Sequence, residues 1–584
     1  MKRIGALLLF AALPCIAPAV TPATADQTFT AIYTAEWKWR MEQFPGLGRE
    51  DDADADDNAP PDDHLAHVDA ASQAARLAYW DKVLKQLADI PRDKLSPEQR
   101  VNYDVYKPQI ENLAADIRFK GYEMPLNSDS QFWSDVAFLS SRHMKNAKDV
   151  REYIGKLNDF PRYFDENMDN MRLGLKRGFT VPKAVLVGRD VSISTYMDVK
   201  SPRDSDFFKP CSKLPTAIPA AEQTQLQTQC ETAIRDKVLP SYTKLLKFFK
   251  DDYAPHARDT LAAEALPDGA AYYRQQIKEY TTLDLDPEAI HQIGKKEVER
   301  IDAEMKATIA STHFKGSFAD FQKFLRTDPQ FYAKTPEELL SRAAWIAKRV
   351  DGELSHFFGL LPRGRFTIKP VPDAIAPFWT AGRGGSHTYW VNTYDLPSRS
   401  LYNLPALTLH ESAPGHSFQG ELAEEQKEQP KFRSKSYISA YGEGWALYCE
   451  KLGKEMGIYQ TPYEEFGRES YEMWRAARLV IDTGVHHKGW TRDQAIAFLA
   501  GHTALSQHEV ETEVDRYISW PGQALSYKLG EIKIVELRAL AEKELGPKFD
   551  IRKFHDAVLD IGSVPLPVLE TRIKGFIAAE KSKA

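Results

Sequence analysis

Cysteine is scarce in this chain, with 4 among 584 residues. That excludes a disulfide-dense scaffold and leaves apolar burial to hold the fold. Positive charge is not in excess either. Lys and Arg number 76 against 83 Asp and Glu, for a formal net charge of −7. Phosphate binding needs a basic face, so the balance argues against nucleic acid as a partner. Beyond residue 25 no stretch approaches the ~20 apolar residues of a membrane span, so no integral membrane segment is expected in the mature chain. There is no G-x-S-x-G elbow for a serine nucleophile, no G-x-x-x-x-G-K-[ST] phosphate loop and no internal repeat.

What is present suits a large soluble protein. Hydrophobic residues make up 43% and aromatics 11%, enough to bury a sizeable core. The first 25 residues read as a secretory signal peptide. Lys2 and Arg3 form the positive head, Ile4 to Ala12 the apolar run, and Ala23-Thr24-Ala25 the small-x-small cleavage site. Its removal takes two positive charges and no acid, leaving −9 from −7. The expected location is exported and periplasmic. A lipid anchor on Cys15 is the weaker reading, because Pro14 stands where such sites want a small residue. Cys211 and Cys230 could close a local loop in an oxidising compartment or remain free thiols, and Cys449 lies in an apolar helical pattern. Residues 50–63 form an acidic loop that lacks the Gly and terminal Glu of an EF-hand.

The pattern is mainly helical. Residues 66–89 repeat apolar positions at three-to-four spacing. Ser96 with Gln99, Thr335 with Glu338, and Thr491 with Gln494 are capping signatures, and Asp286-Pro287-Glu288 opens another helix. Strands are expected only at 366–371 and 387–394, flanking a loop with Pro377 and Gly382-Arg383-Gly384-Gly385. The predicted organisation is a helical N-terminal part, 26–270, and a catalytic part, 271–584, joined as one compact unit.

The chemistry concentrates at Leu407 to Gln419, LTLHESAPGHSFQ. Zinc peptidases of the H-E-x-x-H type place two His four apart on one helical face, with the Glu beside the first as general base. Here His416 follows His410 by six residues, and a six-residue step turns a regular helix by about 240°. The two rings share a metal only if the helix deforms between them. Pro414 lacks the N–H that would bond the His410 carbonyl, and Gly415 is conformationally permissive. Ser412 to Gly415 therefore reads as a bulge that returns His416 to the side of His410. The alternative is a broken helix with two ordinary histidines. Downstream, YGEGWALYCEKLGKE at 441–455 carries Glu443, a candidate third metal ligand, and Glu450, seven residues on, a candidate partner for a ligand ring.

With those motifs in view, the chain resembles the bacterial domain-of-unknown-function family 885, whose members look like zincin-type metallopeptidases. The resemblance rests on His-Glu-x-x-Pro-Gly-His at 410–416, Glu-Gly-Trp-Ala at 443–446, Trp474 to His486, and Pro521 to Gly530. It implies a two-His-plus-Glu zinc set of His410, His416 and Glu443, with Glu411 as base, in a large helical zincin-like fold with a small β element at the cleft. By analogy with peptidases of the angiotensin-converting-enzyme type, His486 and Tyr527 are candidates to stabilise the oxyanion. Arg478 is a candidate for a substrate carboxylate, against a salt bridge to Asp482 four residues later. The strand at 387–394 is a candidate edge for an extended peptide. Arg383, in the glycine loop before it, is a candidate for a terminal carboxylate. The expected activity is zinc-dependent hydrolysis of short peptides, as an oligopeptidase or carboxypeptidase, in a channel between helical halves. Competing classes are a metal hydrolase of a non-peptide amide or ester, and a non-catalytic periplasmic binding protein.

Overall fold

The computed structural model describes residues 24–47, 62–373, 376–426 and 428–583. The signal sequence up to residue 23, Cys15 and nearly all of the acidic 50–63 loop lie outside these residues. The elements that matter below are α1 (Ala25–Gln43), α2 (Ala70–Ala88), α3 (Pro97–Phe119), α4 (Ala147–Arg177), α5 (Pro287–Ser311), α6 (Leu404–Glu411), α7 (His416–Glu424), α8 (Ser439–Glu455), α9 (Pro462–His486), α10 (Gln507–Ser519) and α11 (Ser526–Leu545). Further helices lie between and after them. The fold is mainly α, with one three-stranded sheet.

Local signals set many helix starts. Asp69 caps α2 through its carboxylate, Ser96 caps α3, Asp286 caps α5, and Thr491 with Gln494 forms a reciprocal box. α9 is the axis of the C-terminal half. Thr461 and Glu464 cap it with a box, and every residue from Phe466 to His486 is buried. A helix buried on all sides must find partners for its polar groups inside the protein. Arg468 pairs with Glu472 at 2.6 Å, Lys528 of α11 reaches the same Glu472 at 2.8 Å, and Asp482 accepts from the Tyr273 hydroxyl at 2.6 Å.

Two close helix crossings depend on glycine. A Cβ on Gly294 of α5 would lie 2.7 Å from the Cβ of Leu479 in α9. Where α8 crosses α11, a Cβ on Gly530 would lie 2.0 Å from the Ala440 carbonyl oxygen, and one on Gly444 would lie 2.5 Å from Gly530. The backbones therefore touch one residue away from Glu443.

One apolar cluster runs from Phe29 to Ile577. Polar links also cross the sequence midpoint: Ser128 N–H donates to Ser519 Oγ at 3.0 Å, and Gln109 Nε2 to the Phe432 carbonyl at 3.3 Å. Cys211 and Cys230 form a disulfide across 19 positions, and Cys449 is a buried free thiol.

The sheet has a third strand beside the two expected ones. β1 (Thr367–Pro370) and β3 (Thr388–Val391) pair in parallel, Thr367 opposite Thr388 and Pro370 opposite Val391. The glycine loop itself supplies β2 (Gly382–Arg383), antiparallel to β3 with Arg383 opposite Trp390. The order β1-β3-β2 makes β3 the central strand. The 387–394 segment is therefore no edge for an incoming peptide, since both sides of β3 are taken. The outer strands are β1 and β2.

Candidate metal centre

The segment between His410 and His416 is a break between two helices. α6 ends at Glu411 and α7 begins at His416. In between, Ser412 and Gly415 leave helical angles, at φ −107°, ψ −112° and φ −75°, ψ −132°, and the Ala413–Pro414 peptide is cis. Gly415 N–H reaches back to the Leu409 carbonyl at 3.0 Å and Phe418 N–H to the Ser412 carbonyl at 3.2 Å, so the turn is internally bonded. The indole of Trp445 donates to the Pro414 carbonyl at 2.8 Å and ties the turn to α8. Gly415 is required by space, because a Cβ there would lie 2.0 Å from the His410 carbonyl oxygen.

The break brings the two histidines face to edge. Their ring centroids are 4.8 Å apart with planes at 88°. Glu443, from the first turns of α8, places Oε2 3.5 Å from His410 Nε2 and 3.3 Å from His416 Nε2. Donors held ~2.0–2.1 Å from one tetrahedral centre stand about 3.3 Å from each other, so this set fits a single zinc-sized cation. His410 is bound behind: its Nδ1 lies 2.8 Å from Glu450 Oε1, which leaves Nε2 toward Glu443. Glu450 also meets Arg475 Nη2 at 3.4 Å. His410 is buried, whereas His416, Glu411 and Glu443 are half-buried on the open side.

The electrostatics match a site built for positive charge. Burial opposes a charged His410 ring, but the Glu443 and Glu450 carboxylates outweigh it and raise the group to about 9. Burial likewise opposes the Glu443 carboxylate, yet His416 and His410 hold it well below the usual range. Glu411 is positioned from the sheet side. The Gly384 N–H, just past β2, donates to its Oε2 at 2.6 Å. A Cβ on Gly384 would lie 2.0 Å from the Glu411 carbonyl oxygen, so this approach also requires glycine.

A cleft of about 540 Å³ opens over these residues. Apart from Asp129 its lining comes from residues 380–563, so it is set within the C-terminal part and not between two halves of the chain. Tyr527, Arg478 and Arg383 line it. Arg383 is exposed and stacks over Trp379 at 4.7 Å. Arg478 does not pair with Asp482. It donates to Glu513 Oε2 and to the Tyr517 hydroxyl, both at 3.0 Å, while Asp482 is occupied by Tyr273 and the Gly522 N–H.

His486 is not part of this cleft. It is fully buried with both ring nitrogens taken by backbone: the Ala263 N–H donates to Nδ1 at 3.0 Å, and Nε2 meets the Tyr517 carbonyl at 2.8 Å. Burial pushes it down to about 3, so the ring is neutral. It has no free donor for an oxyanion, and Tyr527 is left as the predicted residue facing the site.

Three cleft residues carried no role in the sequence reading. Tyr437 hydrogen-bonds the Glu443 carboxylate; crowding within the cleft and that charge keep its hydroxyl protonated, although the ring is 59% exposed. It sits in the loop before α8, where no pattern marks it. Arg475 and Arg516 line the same cleft. Arg475 lies three residues before Arg478, so helical spacing already places the two on neighbouring faces.

The family described as "Bacterial protein of unknown function (DUF885)" matches residues 46–573, and the chain belongs to it. No curated protein matches the sequence. Among solved structures, one described as "the putative lipoprotein from Colwellia psychrerythraea" is 27% identical, with a TM-score of 0.87 over 95% of this chain and 100% of that one. A second, described as "a putative lipoprotein of unknown function from Shewanella oneidensis", is 18% identical, with a TM-score of 0.71 over 94% of this chain and 99% of that one, a likeness of fold.

Proposed function

We propose that this member of the DUF885 family is an exported zinc-dependent metallopeptidase acting on short peptides. The observation that carries the reading is the convergence of His410, His416 and Glu443 donor atoms at 3.3–3.5 Å, with Glu411 beside them and Glu450 behind His410. A zinc ion held by those three residues would supply Lewis acidity, favouring ionisation of a water molecule and polarising the scissile carbonyl. The chain's own residues do the rest. Glu411, fixed through Oε2 by the Gly384 N–H, takes a proton from the attacking water. The water oxygen bonds to the carbonyl carbon, the C–N bond breaks, and Glu411 passes the proton to the leaving amine. No covalent enzyme intermediate is needed. Tyr527 lines the cleft as the candidate donor to the developing oxyanion, while Tyr437 is engaged with the Glu443 carboxylate.

Size and composition of the cleft favour short peptides over folded proteins. Its volume is that of an ordinary small-molecule site, and its walls combine tyrosine, tryptophan and arginine. A base placed beside a ligand histidine also argues against a purely structural metal or a passive binding protein. Export is supported by the N-terminal sequence and by the lipoprotein description of both structural relatives. Among the described residues no helix is long and apolar enough to cross a membrane.

Glu411→Gln tests the mechanism. Turnover of a short-peptide mixture should fall by roughly 10²–10⁴-fold, the contribution of a positioned general base, while the metal content stays that of the unaltered chain. Turnover unchanged in this variant refutes the role given to Glu411.

A further inference from the structure

Beyond the metal set, three arginines gather at one end of the cleft. Arg475, Arg478 and Arg516 all line it. Arg475 and Arg478 are only 4% and 2% exposed. Arg478 and Arg516 share a single carboxylate oxygen: Glu513 Oε2 accepts from Arg478 Nη2 at 3.0 Å, from Arg516 Nη2 at 3.2 Å and from the Tyr517 hydroxyl at 2.8 Å. Arg475 meets Glu450, which is already engaged by His410. Asp129 is exposed at the rim, and burial pushes the Glu509 carboxyl up to about 7.

The unused donors are the second observation. Arg478 Nη1, Arg475 Nε and Arg516 Nε are buried and have no hydrogen-bond partner within the protein. A buried guanidinium N–H left unmatched costs free energy comparable to a lost charged hydrogen bond, and here three occur in one wall of one cleft. Packing holds the groups ready. The Arg478 guanidinium lies over Trp474 at 4.5 Å and over Tyr527 at 4.2 Å, and Arg475 lies over Trp474 at 4.3 Å. A planar fork fixed in this way suits a carboxylate, which it can bind through two parallel bonds. The wall is also close to the metal set, since Glu450 bonds both His410 and Arg475.

We infer that Arg478 and Arg516, backed by Arg475, form a subsite for a free carboxylate, which makes the substrate a peptide cleaved near its C-terminal end. The inference deepens the peptidase reading above and rests on it. The carboxylate would use the idle donors and set the scissile bond a short distance from Glu411.

The test compares one mixture of acetylated tripeptides with free C termini against the same mixture amidated. Equilibrium dialysis of each against the Glu411→Gln chain reads binding, and incubation with the unaltered chain reads cleavage. Free acids should be retained at least about tenfold better than amides, a loss expected when a forked, charge-assisted pair is removed. Arg478→Lys and Arg516→Lys, checked for native circular dichroism, should each erode that preference, because a lysine keeps the charge and loses the fork. Acids bound preferentially but not cleaved would leave the subsite standing and remove the peptidase reading. Acids and amides bound alike, neither retained, or a preference undiminished in both folded variants, would overturn the subsite, whatever the Glu411 result.

Discussion

His486 shows how a buried polar side chain becomes part of the core. Its ring is neutral, accepts from one backbone N–H and donates to one backbone carbonyl. His555 is in the same position, with Nδ1 on the Phe357 carbonyl and Nε2 on the Tyr448 hydroxyl, and burial also pushes it down to about 3. Both groups titrate lower in the folded protein than the ordinary 6.5. As pH falls below about 6.5 the unfolded chain gains these protons first, so stability present above that value is lost progressively down to about 3. Each histidine contributes about 1.4 kcal/mol per pH unit in that window. Urea unfolding between about pH 6 and 4 should therefore show a slope shallower by about that amount in His486→Asn than in the parent; equal slopes would contradict a neutral, buried ring. Analogy with peptidases of the angiotensin-converting-enzyme type named this residue as a candidate for the oxyanion. What the sequence did not carry is that α9 is buried on every side, so that its polar residues point to several different neighbours. That His410, Glu411, His416 and Glu443 come together was legible for the opposite reason: a proposed metal and base role restricts both residue type and spacing. Tyr437 and Arg516 have no such restriction, and only tertiary proximity identifies them.

Among the elements, the crossing of α8 and α11 decides where two of the acids stand. α8 carries both Glu443 and Glu450, and α11 holds it by backbone contact at Gly444 and Gly530. Gly530→Ala should push the helices apart and cost roughly 1–3 kcal/mol of stability, seen as a lower thermal midpoint, with weakened zinc binding in the same protein. A variant with unaltered midpoint and metal affinity would show that the close approach is not needed. The helix starts were readable from capping residues, because a cap is a local hydrogen bond that the neighbouring residues specify. The break at Ser412 to Gly415 was readable as a deformation from Pro414, though its form, two helices with a bonded turn between them, depends on Trp445 of a distant helix. The 387–394 strand, a candidate edge, is central because strand order is set by partners beyond the local pattern. The glycine loop expected to connect two strands also forms an outer strand, and its Gly384 N–H holds the Glu411 carboxylate.

Across the whole molecule, the mainly helical character was evident from periodicity and scarce strand signals, and the family assignment extends over residues 46–573. The position of the cleft was not evident, because long-range packing decides which residues share a cavity. It lies within the C-terminal part, with one acidic residue from the N-terminal part at its rim. The account as a whole depends on one claim, that six-residue spacing makes a metal site once the helix is broken. Elemental mass spectrometry of the protein purified without chelators, beside His416→Ala and Glu443→Gln, tests it directly. The account predicts about one zinc per chain in the parent and its loss or marked depletion in both variants. A parent that takes up no metal even when zinc is supplied, or a His416→Ala chain that keeps its zinc, would contradict it.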